Sequence, residues 1–525
     1  MECTCVRQTE LPHTTKLFAD LVYHPERVRR FYSYISQDPE SYVSAAKQVN
    51  LSPDRRAALV SALREQNGPS DSLDLLAQTG TVAVVTGQQV GLFSGPAYTI
   101  YKALTAARLA KELTGRGIPA VPVFWLATED HDFAEVNHTW VFDANHQPVE
   151  LQINGSPAVG QPVGEVRLTS VPIDSLREAL REFPFGAEVA DRVAMAYIPG
   201  RTLGQAFGEL LRDLLRDFGI LQIDPMAPAV RALAAPTIRA ALEQAQDLKK
   251  LVLERNRELN AAGYHAQVHV EDDTSFFFLL ENGRRLALRG RNGNYLSSDG
   301  RFSPQELMER ADHISPNALL RPVVQDSILP TVAYIGGPAE LAYLAQAAVL
   351  YRALLGRMPV AVHRSGFTVV DQRGRKLMNR YQLCLSDFFH GEEALRERIA
   401  AALVPEGLRG VVEETRGSLS RAVERLEAEL AAFDPTLDAA VRKSYNKIAY
   451  QLSKIERKVG REMMARDERA SHDASYLSGL IYPRKHLQER LYSIIPFLAK
   501  HGFALIPELA QNIHLDCPDH QLLVA

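Results

Sequence analysis

One short stretch limits the fold more than any other. Val82-Ala83-Val84-Val85 is a β-branched apolar run ending in Thr86-Gly87, which reads as a strand buried on both faces. A glycine-bearing loop runs from Gln88 to Gly95, and Pro96 opens a strongly helical stretch to about Leu113. A second apolar run, Val121-Pro122-Val123-Phe124-Trp125-Leu126, stops at Glu129-Asp130-His131-Asp132. Strand, loop, helix, strand at this spacing is the βαβ unit of a parallel sheet. The theme recurs in an apolar run to Ile335, the loop Gly336-Gly337, a helix from Pro338 and a strand over 359–363. Leu221-Gln222-Ile223-Asp224 adds one more strand.

Two β-rich patches interrupt this pattern. Residues 144–175 carry several Gly and Pro with alternating apolar positions, which predicts a small β insertion. Around 268–288, Phe276, Phe277 and Phe278 predict a strand and Asn282-Gly283 its hairpin turn. The expected fold class is α/β: a doubly wound core over 81–390 with two connecting insertions, near 144–200 and 262–320. A helical segment over 1–80, with Leu17, Leu21, Val28 and Phe31 at helical spacing, would pack on it.

Beyond 390 the chain turns to Glu, Arg, Ala and Leu. Thr415, Leu419, Val423, Leu426, Leu430 and Phe433 step by fours and threes, alternating from Leu419 onward, and Val441, Tyr445, Ile448, Leu452, Ile455 and Val459 alternate throughout. That alternation is the mark of a coiled-coil seam. Between the runs, Asp434 is placed to cap a new helix with Pro435 at its first position. The reading is an α-helical antiparallel coiled-coil hairpin over 391–470, its arms roughly 40 Å long at 1.5 Å per residue. Residues 471–525 would return to the core. A protruding apolar seam needs a partner, and a homodimer is the simplest.

Composition removes several classes. Lys and Arg number 59 against 63 Asp and Glu, a formal net charge of −4, so nothing draws the chain toward nucleic acid or anionic lipid. No apolar run reaches the ~18–20 residues of a membrane span. Glu2, Arg7, Glu10 and Lys16 interrupt what would be an export signal. Four scattered cysteines make no disulfide framework, and the lone Cys3-x-Cys5 is read as incidental. The expectation is a cytoplasmic protein of about three structural units.

The chemistry concentrates at strand ends. Thr86-Gly87-Gln88-Gln89-Val90-Gly91-Leu92-Phe93-Ser94-Gly95-Pro96-Ala97-Tyr98 could seat a phosphate or carboxylate against unpaired helix amides, with Ser94 or Gly95 as cap and Pro96 first in the helix. Packing glycines are the plainer reading. It is neither a Walker loop nor a G-x-G-x-x-G fingerprint. Gly337-Pro338-Ala339 with Tyr343 and Ala345 repeats Gly95-Pro96-Ala97 with Tyr101 and Ala103, so both helix starts could face one cleft. Glu129, Asp130, His131 and Asp132 could hold an ammonium, Mg²⁺ or Zn²⁺, or act as a general base; a solvated acidic loop is the alternative. Neighbours in one loop seldom converge on zinc, so no metal ligands are assigned, and His138 is read as structural. Arg321, Gln325 and Asp326 precede the second loop, Tyr334 and Glu340 flank it, and Arg364 ends the last strand. Neither H-E-x-x-H nor G-x-S-x-G occurs.

The strings Val85 to Pro96, Val123-Phe124-Trp125-Leu126-Ala127-Thr128-Glu129-Asp130-His131-Asp132 and Tyr334-Ile335-Gly336-Gly337-Pro338-Ala339-Glu340 closely resemble the bacillithiol biosynthesis cysteine-adding enzymes, over the full chain. The resemblance implies a Rossmann-like core with two connecting insertions, similar to class I aminoacyl-tRNA synthetases, and a dimer through the hairpin. It also implies the joining of cysteine, through its carboxyl group, to the amine of glucosaminyl malate. A carboxylate acylates an amine only after activation, so ATP is expected, with Mg²⁺ as its possible companion. On this reading the ATP phosphates lie against the loop holding Gln88, Gln89, Gly91, Ser94, Gly95 and Tyr98. Lys102 would reach them only if its helix face allows. Glu129, Asp130 and Asp132 would hold an ammonium, and His131 or a carboxylate would take the amine proton. Tyr334, Gly336 and Gly337 would form the opposite wall, beside Gln325, Asp326 and Arg364. The HIGH and KMSKS signatures of class I synthetases are absent, so adenylate chemistry rests on fold analogy. The rival readings are another reaction on the same nucleotide cleft, or a non-catalytic coiled-coil scaffold of the pathway.

Overall fold

The computed structural model describes residues 3–525 apart from 156, 272, 292, 435 and 436. Its centre is a sheet of five parallel strands: β1 (Val82–Gln89), β2 (Ala120–Ala127), β3 (Leu221–Ile223), β4 (Thr331–Gly336) and β5 (Val360–His363). Their order is β5-β4-β1-β2-β3. The chain moves outward from β1 through β2 to β3, then returns to β4 on the other side. The carboxyl ends of β1 and β4 therefore border the switch point at which open α/β sheets bind ligands. Val82 to Val85 and Val332 to Ile335 are buried on both faces, which explains why these strands read as continuous apolar runs. Gly87 lies where β1 meets β2 most closely; a Cβ there would stand 2.9 Å from the carbonyl oxygen of Trp125.

Helix α1 (Tyr98–Gly115) connects β1 to β2, α2 (Arg321–Ile328) precedes β4, and α3 (Pro338–Leu355) follows it. The two Gly-Pro starts differ. At α3, Pro338 is the first helical residue and Gly337 the cap, whose N–H bonds Glu340 Oε2 at 2.9 Å. At α1 the helix begins two residues after Pro96, with Ala97 as a cap that makes no side-chain bond. Pro96 and Gly95 instead belong to a tight turn in which Phe93 and Ser94 both have positive φ, 49° and 72°.

The first insertion follows the carboxyl end of β2, and the second follows two helices, Pro228–Glu243 and Ala245–Ala261, after β3. The first starts earlier than its sequence pattern indicates: its hairpin pairs His138–Phe142 with Pro148–Gln152. Within the 144–175 stretch expected as β, only Pro148–Gln152 is a strand, and beyond it the chain is helical, with Ile173–Leu180, Gly186–Ala196 and Leu203–Leu214. The second insertion is a five-stranded antiparallel sheet built on Thr274–Glu281 and Arg284–Arg291. Asn282 and Gly283 turn that hairpin with φ of 52° and 72°, as a two-residue turn demands.

The chain's first segment is not purely helical. Cys3–Val6 is a strand, antiparallel to His520–Val524, which pairs in parallel with Gly366–Val370. Residues far apart in sequence thus form one three-stranded sheet. Helices α4 (Glu406–Phe433) and α5 (Asp438–Arg466) make the hairpin. Arg416 Nη2 meets Ser453 Oγ at 3.3 Å and Arg442 lies 3.5 Å from Glu427, which fixes the arms as antiparallel. Asp434 closes α4 rather than capping α5, which follows Leu437 without a side-chain cap; Pro435 lies outside the described residues. No helix among the described residues is long and apolar enough to cross a membrane.

Replacing Gly87 by Ala drives a methyl into the β2 backbone. The Gly87→Ala protein should lose about 1–3 kcal/mol of stability, read as a lower melting temperature than wild type; an unchanged melt would mean that β1 and β2 can separate without cost.

Candidate active site

The end of β1 carries Gln88 and Gln89 into a cavity of about 450 Å³. Gln88 Nε2 donates to the Tyr98 hydroxyl at 3.0 Å and Gln88 Oε1 accepts from Lys102 Nζ at 3.0 Å. Tyr98 and Lys102 are four residues apart on α1, so one helix face presents both to the cavity. Gln89 Nε2 donates to Asp130 Oδ2 at 2.6 Å and to Glu135 Oε2 at 2.7 Å, tying the end of β1 to the loop after β2.

The rest of the glycine loop is turned away from the cavity. The Tyr197 hydroxyl donates to the Gly91 carbonyl at 2.6 Å and faces the Ser94 N–H at 3.4 Å, while the Ala97 N–H bonds the Tyr492 carbonyl at 2.7 Å. Ser94 is fully buried. Gly91, Ser94 and Gly95 therefore do not line the cavity, and the expected phosphate cradle is closed by the protein's own tyrosine. Gln88, Gln89 and Tyr98 do line it.

Past β2, the acidic cluster divides. Glu129 and Asp130 line the cavity; His131 and Asp132 do not. Asp132 caps the short helix Phe133–Val136. His131 Nδ1 lies 3.0 Å from Arg285 Nη1, so that nitrogen accepts from a guanidinium and is not available to a substrate proton. For Asp130, burial would raise the carboxyl pKa, but His131, Gln89 and Arg285 outweigh it and hold the group well below the carboxylate range. Asp130 is thus a fixed anion and a weak base. Glu129 is almost fully buried; its Oε2 accepts from Ser315 Oγ at 2.8 Å, and its Oε1 has no hydrogen-bond partner. The Trp125 indole N–H is likewise unpaired on the same cavity wall.

The facing wall is cationic. Lys102 Nζ, 2% exposed, donates to the Gly87 carbonyl at 3.0 Å and pairs with Glu340. Burial lowers the lysine's pKa and Glu340 opposes that shift. Glu340 is desolvated too, but Lys102, the Gly337 N–H and the Tyr334 hydroxyl keep it ionised. The Tyr334 hydroxyl donates to Glu340 Oε1 at 2.8 Å. Arg364 is held by both oxygens of Glu489, at 2.9 and 2.5 Å, and lies 5.1 Å from the centre of the Tyr98 ring. Arg321, Arg364 and Arg490 reach the cavity, as do Gly337 and Tyr334. Three expected wall residues do not. Gly336 is packed against Leu341 and Glu340. Gln325 stands behind Arg321, to which its Oε1 is bonded at 2.9 Å. Asp326 faces the opposite side of α2, where Tyr351 and Gln325 donate to it.

The sequence reading gave Lys102 little weight, although its spacing from Tyr98 places it on the inward face. Arg285 and Arg490 had no local signal; they arrive from the second insertion and from the C-terminal segment. Among the described residues no three His, Cys, Asp or Glu side chains converge to hold a metal ion.

An acidic wall facing a basic one, at the switch point of a parallel sheet, defines a Rossmann-like α/β protein with a cleft for a ligand of both charges. Comparison with known proteins narrows the class. Residues 1–365 match the family model of the bacillithiol biosynthesis BshC N-terminal Rossmann-like domain, and residues 367–524 that of the BshC C-terminal coiled-coil domain. A relative from Solibacter usitatus named "Putative cysteine ligase BshC" is 59% identical over the whole of both chains. Relatives bearing the same name from Koribacter versatilis and Salinibacter ruber are 34% identical over 99% of each chain, and 31% over 97% of this chain and 96% of theirs. The chain belongs to the BshC family of bacillithiol biosynthesis.

Glu489 supplies a pH test of the wall. Burial would raise its carboxyl pKa, yet Arg364 brings it from an ordinary 4.5 down to about 2. A depressed carboxylate adds stability that is complete above pH 4.5 and lost as the pH falls toward 2. Melting temperature should therefore drop across that window in wild type and less steeply in Glu489→Gln. At neutral pH the variant should be about 3–5 kcal/mol less stable, because Arg364 is left buried without its counter-charge.

Proposed function

We infer that the protein is a ligase of bacillithiol biosynthesis that attaches cysteine to an amine, and that the amine belongs to glucosaminyl malate. The observation that carries this reading is the two-sided charge of the cavity. Cysteine is a zwitterion, and the acceptor carries an amine beside carboxylates; each needs an anionic and a cationic wall at once. Glu129 and Asp130 face such a substrate from one side, and Lys102, Arg321, Arg364 and Arg490 from the other.

The chemistry follows from what each partner lacks. A free carboxylate resists attack, so we propose that ATP converts the cysteine carboxyl into an adenylate or acyl phosphate, with the cationic wall offsetting the charge that gathers there. With the Gly91–Gly95 turn closed, the nucleotide's anionic groups would have to meet Lys102, Arg364 and Arg490. Any Mg²⁺ would come bound to the nucleotide, since the described residues build no cage for it. Asp130, kept ionised, would orient the ammonium. Glu129, with a free lone pair at Oε1, is the better candidate to accept the proton released as the amine attacks. The reaction is placed in the cytoplasm, where a thiol substrate stays reduced.

The hairpin would join two copies. Leu419, Val423, Leu426 and Leu430 border an apolar groove with Val441, Tyr445 and Ile448 on the facing arm, and Leu426 and Ile448 are about half exposed (50% and 47%). Charging both, with Leu426→Glu and Ile448→Glu, should convert a dimer into a monomer in light scattering. A dimer that survives would place the interface elsewhere.

Purified protein given cysteine, glucosaminyl malate and ATP should yield bacillithiol by mass, with ATP consumed only when both acceptor and cysteine are present. Absence of product from folded protein, over a range of nucleotides and metals, would sink the ligase reading. Asp130→Asn and Gln89→Ala should reduce ligation at least a hundredfold and tenfold, with the melt nearly unchanged.

A further inference from the structure

Apart from Arg490, which is exposed and also has no carboxylate partner among the described residues, the cations around the cavity differ in one respect. Lys102 is paired with Glu340 and Arg364 with Glu489. Arg285 has Asp130 at 3.5 Å. Arg321 has no carboxylate within ion-pair distance among the described residues. Its three hydrogen bonds all go to neutral oxygens: Gln325 Oε1 at 2.9 Å, and the hydroxyls of Tyr334 and Tyr343 at 3.2 Å each. The nearest candidate counter-ion, Glu340, is fully committed, one oxygen to Tyr334 and the other to the Gly337 N–H and Lys102. Two of the five guanidinium N–H bonds remain unused, and the side chain is reached from the cavity.

A guanidinium held away from bulk water, bonded only to neutral groups and sharing the more distant charge of Glu340 with Lys102, gains from an anion that comes to it directly. Its neighbours do not neutralise it, but they do fix it. Gln325 is fully buried, and its amide is oriented by donating Nε2 to Asp326 Oδ1 at 3.0 Å, which leaves Oε1 to face Arg321. The guanidinium plane is therefore set before any ligand arrives, as planar recognition of a carboxylate requires.

We propose that Arg321 is the receptor for a substrate carboxylate, with Gln325 as its positioning residue. This rests on the ligase reading only for the identity of the acid: both cysteine and the malyl group of the acceptor carry the same chemical group, and Arg321 serves one of them. Lysine could supply the charge but not the fixed plane, so Arg321→Lys should be impaired nearly as much as Arg321→Gln.

The test has a binding arm and a kinetic arm. Calorimetric titration of wild type with L-cysteine alone and with L-malate alone should reveal binding of one acid. That binding should weaken roughly ten- to a hundredfold in Arg321→Gln, and nearly as much in Arg321→Lys. In the ligation assay the KM for the matching substrate should rise by the same factor, while the KM for the other stays within about twofold. A melt matching wild type in either variant shows that the fold is intact, and the lysine variant carries the test if the glutamine variant does not fold. Equal binding of both acids by wild type and both variants would overturn the proposal, as would wild type that binds neither. Binding that depends on Arg321 in a protein that makes no bacillithiol would support the anchor while removing the ligase reading.

Discussion

The ion pair between Arg364 and Glu489 is the interaction on which the rest of the molecule turns. Arg364 follows β5 directly, at the carboxyl edge of the Rossmann-like sheet, and Glu489 lies in the segment that follows the coiled coil. Both are almost fully buried. The family's two domain models meet at residues 365 and 367, so this pair reaches across the junction. Glu489 also accepts the N–H of Phe367 at 3.1 Å. Gly366 leaves room for it, since a Cβ there would stand 2.8 Å from His520 and 3.1 Å from Glu489. Taking two charges out of water is expensive, and the bidentate geometry with added backbone donors is what offsets the cost. One result is a guanidinium fixed in the cavity wall; another is that the coiled-coil domain cannot swing freely from the sheet.

The cavity is a meeting of walls with different origins. The anionic side comes from one loop after β2. The cationic side is assembled from α1, α2, the end of β5 and a late helix, while Arg285 of an insertion hairpin sits against Asp130 on the anionic side. Most of the cavity's buried charges are already balanced within the protein, so the field a ligand meets is set by the few groups with unspent capacity: Glu129 Oε1, the Trp125 N–H, Arg321 and the exposed Arg490. Buried polar groups are ordinarily satisfied, and such exceptions collected around one cavity are what a binding site looks like before it is filled.

Much of the fold was legible because local patterns and topology agree. β1, β2 and β4 are buried on both faces, so their apolar runs are continuous, and the seam of α4 and α5 keeps its four-three stepping. What failed did so for non-local reasons. Gly95-Pro96-Ala97 and Gly337-Pro338-Ala339 are the same tripeptide, yet only the second starts a helix at its proline. Near the first, Tyr197 and Tyr492, over a hundred residues and several hundred residues away in the chain, claim the loop's polar groups and pull it into a turn with two non-glycine residues at positive φ. The sequence of the loop contains no sign of those partners. In the acidic run, Glu129 and Asp130 point inward while His131 and Asp132 are diverted by Arg285 and by a helix cap. Adjacent residues of the same charge therefore have different roles. The first strand, Cys3–Val6, was hidden because its partner lies at the opposite end of the chain.

That last pairing has a consequence for how the molecule comes into being. His520–Val524 is the middle strand of its small sheet, flanked by Cys3–Val6 and Gly366–Val370, and Glu489 and Arg490 complete one wall of the cavity. Contacts of such long separation in sequence form slowly. A nascent chain that has emerged only through the Rossmann-like portion still lacks part of its binding wall, with Arg364 awaiting its counter-charge. Competence for chemistry is thus gained late, as one event with the closing of the chain on itself, and an unfinished polypeptide would be inert rather than partly active.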